Sequence, residues 1–123
     1  MDHVSRFVKD EKAKELYYNH VKNIVTRTNT VTGKPYTEDP TIFSWQIGNE
    51  PRAFARDSVT KAAFADWMCT SASLIKSLDP NHMVSSGSEG LYGCEVDMDL
   101  FEKIHAHEDF DYLNVHIWPL VWR

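Results

Sequence analysis

The stretch "TIFSWQIGNEPR", Thr41 to Arg52, decides the fold. From Thr41 to Ile47 it is a near-continuous apolar run of strand length, the pattern of a buried parallel strand. It then breaks off in Asn49, Glu50, Pro51 and Arg52. Side chains alternate along a strand, so Ser44, Gln46, Gly48 and Glu50 share one face, opposite Phe43, Trp45 and Ile47. A carboxylate at the edge of a core is costly to desolvate, and a strand that stops at a proline has no structural need of one. Glu50 therefore calls for a chemical explanation.

Upstream, Ala13, Leu16, Tyr17, His20, Val21, Ile24 and Val25 recur at three- and four-residue spacing, which predicts an amphipathic helix over Asp10 to Arg27. Asn29, Gly33, Pro35 and Pro40 supply turn chemistry before the strand. Downstream, a helix is predicted over Ser58 to Leu78, with Phe64, Trp67, Met68, Ser71, Ile75 and Leu78 on one face and a stop at Asp79 and Pro80. A short strand over Met83 to Ser86 follows, then a helix over Met98 to Ala106 carrying Leu100, Phe101 and Ile104. A last strand is expected over Tyr112 to Ile117.

Strict alternation of helix and strand implies parallel strands joined by helical crossovers. Three strands complete neither a doubly wound sheet, which has about five or six, nor a (β/α)8 barrel, which needs eight in about 250 residues. The chain also ends on the aromatic run "HIWPLVWR" with no helix to cover it. In the last strand Tyr112, Asn114, His116 and Trp118 share a face opposite Leu113, Val115 and Ile117. Polar residues on one face and aliphatic ones on the other suit a barrel, whose reactive groups gather at the strands' C-terminal ends. The expectation is an α/β fold, a partial (β/α)8 barrel in which residues 1–123 are a fragment of one catalytic domain. Glu50 and His116 should meet at the same end.

The 123 residues are 42% hydrophobic and 25% charged, with a net charge of −5, ordinary values for a globular chain. No basic run offers a surface for nucleic acid. No apolar stretch is long enough to span a membrane, and the opening "MDHVSRFVKDEKAK" lacks the apolar core of a signal peptide. Cys69 and Cys94 fit no metal-ligand spacing and read as two free thiols, with one disulfide as the alternative. His105 and His107 form an HxH pair, but residues two apart on a helix point in different directions. No metal site is expected there, and these histidines read as solvated helix-end residues.

"DPTIFSWQIGNEPR" resembles the fourth-strand motif of family 5 glycoside hydrolases, most closely their endo-β-1,4-mannanases. "RTNTVTGKPYTEDP" before it, "SLIKSLDPNHMVSSGSEG" after it and "YLNVHIWP" near the end resemble successive segments of bacterial mannanases, in the same order. The resemblance covers essentially the whole chain, roughly from the third helix to the sixth strand of the barrel. It implies that Glu50 is the general acid/base of a retaining mechanism. By the same matching, Asn49 hydrogen-bonds the sugar 2-hydroxyl and helps orient the nucleophile, Arg52 lies on the leaving-group side, and His116 is the sixth-strand histidine near the acid/base. Trp118 stands where many members have a tyrosine that supports the nucleophile. An indole cannot supply that hydroxyl, and it could instead stack on a sugar or donate one N–H. Glu89 reads as a carboxylate lining the cleft, because the family's nucleophile follows a seventh strand that this chain does not reach.

The implied substrate is β-mannan, as polysaccharide or oligosaccharide, with no cofactor, no nucleic acid and no membrane, and the remainder of the barrel missing from the chain. A secreted or periplasmic location is implied for a full-length member. Two alternatives stand beside this reading. One is a cellulose or β-glucan hydrolase of the same family. The other is an inactive carbohydrate-binding or assembly module that uses Trp118 and Trp122. Without the flanking motifs, a surface ion pair between Glu50 and Arg52 would explain the strand end as well.

Overall fold

The computed structural model describes residues 5–119. The elements are α1 (Glu11–Val25), β1 (Ser44–Gln46), α2 (Ser58–Leu78), β2 (Met83–Ser85) and α3 (Met98–His105), with single 3-10 turns at Phe7–Lys9, Tyr36–Glu38 and Leu91–Cys94. Each α-helix begins the same way. Asp10, Asp57 and Asp97 sit at the N-caps and accept the backbone N–H of Ala13, Thr60 and Leu100 at 3.0, 2.8 and 3.1 Å. Such a cap satisfies a donor that the first turn leaves orphaned, and is worth about 1 kcal/mol. α2 occupies the predicted range to the residue and ends where Pro80 forbids another turn.

α2 is the spine of the core. It buries Phe64, Trp67, Met68, Ser71, Ala72 and Ile75, with Leu78 half-buried. Phe7 and Tyr17 meet Trp67 edge-on, each with ring centroids 5.3 Å apart, the geometry that aromatic quadrupoles favour. α1 buries less than its pattern suggested. Val21 and Val25 are inside, but Leu16 and His20 face water because the core touches only one side of the Tyr17 to Val25 stripe.

β1 and β2 pair in parallel, in the register Ser44 to Met83, Trp45 to Val84 and Gln46 to Ser85. Their hydrogen bonding outlasts the regular ladder. Ile47 N–H donates to the Ser85 carbonyl at 3.2 Å and Glu50 N–H to the Gly87 carbonyl at 3.0 Å. Ile47 is buried and Trp45 partly so, as their parity predicted. Phe43, expected on the same helix-facing side, is 71% exposed and lies near Tyr112, with ring centroids 6.2 Å apart.

The expected third strand requires a correction. Residues 112–117 form no ladder with β2. They run beside it, attached mainly through side chains. Asp111 N–H donates to the Val84 carbonyl at 2.9 Å while the Asp111 carboxylate accepts Val84 N–H at 2.7 Å. Lys76 pairs with the same carboxylate at 2.7 Å. Asn114 uses its carboxamide where a strand would use its backbone. The alternation survives all the same: Tyr112, Asn114 and His116 are half-buried, and Leu113, Val115 and Ile117 are exposed.

Candidate active site

The site forms where β1 and β2 run out. Beyond Gln46 the chain passes through Ile47, Gly48 and Asn49 to Glu50, which adopts a left-handed backbone with φ of 52°. For a residue with a Cβ this costs roughly 1–2 kcal/mol, and it persists because the neighbouring strand end fixes it. Glu50 N–H is held by the Gly87 carbonyl. Gly87 is itself left-handed at φ 72°, and a Cβ built on it would lie 1.8 Å from the Gly48 carbonyl oxygen. Only glycine allows the two backbones to approach this closely.

Glu50 and His116 come together as their parity predicted, with Glu50 Oε1 2.7 Å from His116 Nδ1. Their side chains are 31% and 26% exposed, so the pair is reachable from solvent without being fully solvated. His116 is further tied by its backbone N–H to the Glu89 carbonyl, at 3.4 Å.

Arg52 does not pair with Glu50. Its Nε–H and Nη2–H donate to the two carboxylate oxygens of Glu89, the second at 2.7 Å, in a planar fork. Glu89 is only 3% exposed. The hydrogen bond from Arg52 holds this buried carboxylate and pushes the guanidinium pKa up. The simple surface ion pair between Glu50 and Arg52 is therefore replaced by two separate pairs, Glu50 with His116 and Arg52 with Glu89. Asn49 and Trp118 are solvent-exposed at the same end, and Trp122 lies outside the described residues.

Several residues here escaped the sequence reading. Asn114 donates from Nδ2 to the Ser88 carbonyl at 2.8 Å and accepts Gly87 N–H on Oδ1 at 3.1 Å. Its alternation with His116 was the one available signal. Below it, Ser44 and Tyr112 share a hydroxyl–hydroxyl hydrogen bond of 2.6 Å, and this bond lowers the Tyr112 phenol's pKa. His105 is not a solvated helix-end residue. Its Nε2 meets Ser86 Oγ at 2.9 Å, its Nδ1 meets the Phe101 carbonyl at 2.8 Å, and burial lowers its pKa. Both ring nitrogens are therefore engaged within the protein. Among the described residues no three His, Cys, Asp or Glu side chains are grouped to hold a metal ion. Cys69 and Cys94 are free thiols, and burial pushes Cys94 up to about 11.

Two of the cavities among the described residues lie at or beside this end. One of about 270 Å³ is lined by Glu50, Arg52, Phe54, Phe64 and Trp67 among others. A wider one of about 620 Å³, edged by Arg6, Lys9, Arg56 and Glu95, includes neither Glu50 nor His116.

Comparison with known proteins gives this geometry a family. A mannan endo-1,4-beta-mannosidase from Arabidopsis thaliana is 36% identical over 135 residues, an alignment covering 99% of this chain and 32% of that protein. Another from Oryza sativa is 36% identical, covering 89% of this chain and 26% of that protein. Among solved structures, an endo-1,4-beta-mannanase from Rhizomucor miehei superposes with a TM-score of 0.82 at 29% identity, over 95% of this chain and 37% of that one. A family 5 mannosidase from the same fungus, solved with mannosyl-fructose, gives a TM-score of 0.75 at 36% identity, over 96% of this chain and 26% of that one. The chain thus spans about a quarter to just over a third of the length of these relatives. The family model described as "GH family 5 beta-mannosidase-like" matches residues 1–123. With relatives and superposed structures in agreement, the chain belongs to the mannosidase-like branch of glycoside hydrolase family 5.

Proposed function

We propose that the chain carries the acid/base half of a retaining endo-β-1,4-mannanase site, as part of a (β/α)8 catalytic barrel. The observation that carries this reading is the Glu50 to His116 pair, 2.7 Å across and partly open to solvent, at the shared end of two parallel strands. In the first step Glu50 gives its proton to the glycosidic oxygen as a nucleophilic carboxylate attacks the anomeric carbon and the leaving sugar departs. In the second step Glu50 takes a proton from water as that water displaces the carboxylate from the same carbon. His116 holds the Glu50 carboxyl in one orientation through its Nδ1. Asn49 faces the sugar 2-hydroxyl, and Trp118 offers an indole face to a sugar ring.

Glu89 does not serve as the nucleophile in this reading. A nucleophile needs a free oxygen aimed at the anomeric carbon, and both Glu89 oxygens are occupied by Arg52. Glu89 instead holds Arg52 on the leaving-group side of the cleft. The nucleophile is contributed by the part of the enzyme outside these 123 residues. β-Mannan is favoured as substrate over cellulose because the curated relatives named above are mannan endo-1,4-beta-mannosidases.

The test is made in a full-length enzyme containing this sequence. Glu50→Ala should lower turnover of mannan by about two to four orders of magnitude, the usual worth of general acid–base catalysis. An activated aryl mannoside needs little leaving-group protonation, so its glycosyl-enzyme should still form and then accumulate. Azide, which attacks without being deprotonated, should restore the second step. If azide has no effect and both substrates lose activity equally with the fold intact by circular dichroism, another carboxylate is the acid/base. Comparable rates on cellulose and mannan in the unmodified enzyme would overturn the substrate assignment.

A further inference from the structure

Asn114 holds the end of β2 in place of a strand ladder, and its contacts lead to Glu50 in two steps. Its carboxamide grips the backbone on both sides of one peptide unit, accepting Gly87 N–H at 3.1 Å and donating to the Ser88 carbonyl at 2.8 Å. The carbonyl of that same Gly87 receives Glu50 N–H at 3.0 Å. No other backbone hydrogen bond anchors the left-handed Glu50 to its neighbouring strand end among the described residues. Two residues further along the same face, His116 grips the Glu50 carboxylate. One short segment therefore controls Glu50 from both ends, the backbone through Asn114 and the side chain through His116.

Alternatives to this route are closed by sterics and burial. Gly87 cannot be replaced by a residue that would fix the backbone with a side chain, because a Cβ would collide with the Gly48 carbonyl. Ser86 to Gly90 are all buried, so water cannot take the place of a lost carboxamide without opening the strand end. A side chain with one acceptor and one donor, held by two backbone groups, also has its own orientation fixed.

From this geometry we infer that Asn114 is a positioning residue for Glu50, acting through the Gly87 carbonyl to hold the carboxylate against His116. Its catalytic consequence rests on Glu50 being the acid/base, as proposed above. The contact itself does not, and the test separates them.

The first measurement uses the chain as it is, labelled with nitrogen-15, and needs no turnover. In Asn114→Ala the Glu50 and Gly87 amides should exchange with solvent about ten-fold faster or more, the scale set by losing an internal hydrogen bond. The Ser44 to Gln46 amides should keep their rates. The His116 Nδ1 resonance should move away from its carboxylate-bonded position. Asn114→Asp keeps an acceptor for Gly87 N–H but sets a carboxylate oxygen against the Ser88 carbonyl, so it should restore slow exchange at Gly87 only in part. Unchanged Glu50 exchange and an unmoved His116 resonance in Asn114→Ala would overturn the inference, as would equal acceleration across β1, β2 and Glu50. Should Asn114→Ala fail to fold, the unmodified chain decides: the Gly87 and Glu50 amides must be protected together, and a freely exchanging Gly87 amide refutes the contact. In a full-length enzyme Asn114→Ala should lower kcat with KM little changed, whereas loss of the Glu50 assignment would show in the azide experiment while leaving the exchange results standing.

Discussion

Two histidine–carboxylate pairs stand at opposite ends of the same two strands, each with 2.7 Å between Nδ1 and a carboxylate oxygen. At the entry to β2, Asp79 and His82 are 0% and 8% exposed. Asp79 there also accepts the Trp45 indole N–H at 2.7 Å and the backbone N–H groups of Asn81 and His82, and His82 Nε2 faces the Asp39 carbonyl at 3.0 Å. At the exit, Glu50 and His116 are roughly a third and a quarter exposed, and among the described residues the Glu50 carboxylate is held through Oε1 by His116. One pair is saturated and sealed, so its polar groups serve to join the 36–39 turn, β1 and β2. The other is partly open to solvent, so its carboxylate can be reached from outside the protein. The same chemical pair becomes a sealed rivet or an accessible pair according to how far the fold encloses it.

The strongest way to break this comparison is to remove each carboxylate. Asp79→Ala should cost about 3 kcal/mol or more, because it strands the Trp45 indole, two backbone N–H groups and a His82 ring nitrogen, with a buried group left unsatisfied costing about 1–3 kcal/mol, and should abolish cooperative unfolding if the chain's margin is smaller than that. Glu50→Ala should cost no more than about 1 kcal/mol, as for other partly solvated pairs. Urea denaturation of both variants is the measurement, and equal losses would show that the two pairs are energetically alike.

Acid sharpens the contrast. Burial alone would raise the Asp79 carboxyl, but hydrogen bonds from Trp45, His82 and Asn81 outweigh it and hold its pKa below the usual range. A carboxyl more acidic in the folded state contributes stability that is complete above its unfolded pKa, near about 4. That stability is lost as pH falls through the lower folded value, because the unfolded chain then binds the extra proton. Thermal melts from pH 6 downward should show unmodified protein losing Tm below about pH 4. Asp79→Asn should start from a lower Tm and lose less over the same window. Parallel curves for the two would remove Asp79 as the cause.

The smallest expected effect has the opposite sign. Glu50→Gly relieves a left-handed backbone that glycine adopts freely, so it should stabilise the fold by up to about 1 kcal/mol beyond Glu50→Ala. Both variants lack the carboxylate, so the difference between them measures the backbone strain alone. No difference between the two variants would mean that the Gly87 carbonyl fully offsets the strain.

Most of the scaffold was legible in the sequence, and the reasons are local. The aspartate caps and three- and four-residue spacings mark the helices, and Pro80 marks the end of α2. The parallel pairing of β1 and β2 followed from the alternation of elements, and the meeting of Glu50 with His116 followed from parity along two segments. What escaped depends on distant partners. The pattern of residues 112–117 promised a strand, but Asp111 and Asn114 satisfy β2 with side chains, a substitution that hydropathy cannot register. Arg52 looked like a partner for Glu50, two residues away, yet it reaches Glu89 across 37 positions because a loop path brings a buried carboxylate within its fork. His105 read as solvated because nothing in "HAH" reveals that Ser86 would lie beneath it.

The sealed cluster around Asp79 has a consequence for how this sequence can drift. Trp45, Asp79 and His82, together with the backbone of Asp39, share hydrogen bonds drawn from a turn and two strands. Substitutions among groups so tightly coupled do not add, and a first change leaves buried donors or acceptors that only a matching second change can satisfy. Single-step evolutionary paths through these positions therefore descend before they rise, whereas the half-open pair around Glu50 admits stepwise change without loss of fold. The sealed end of the sheet is the one whose sequence is harder to rewrite.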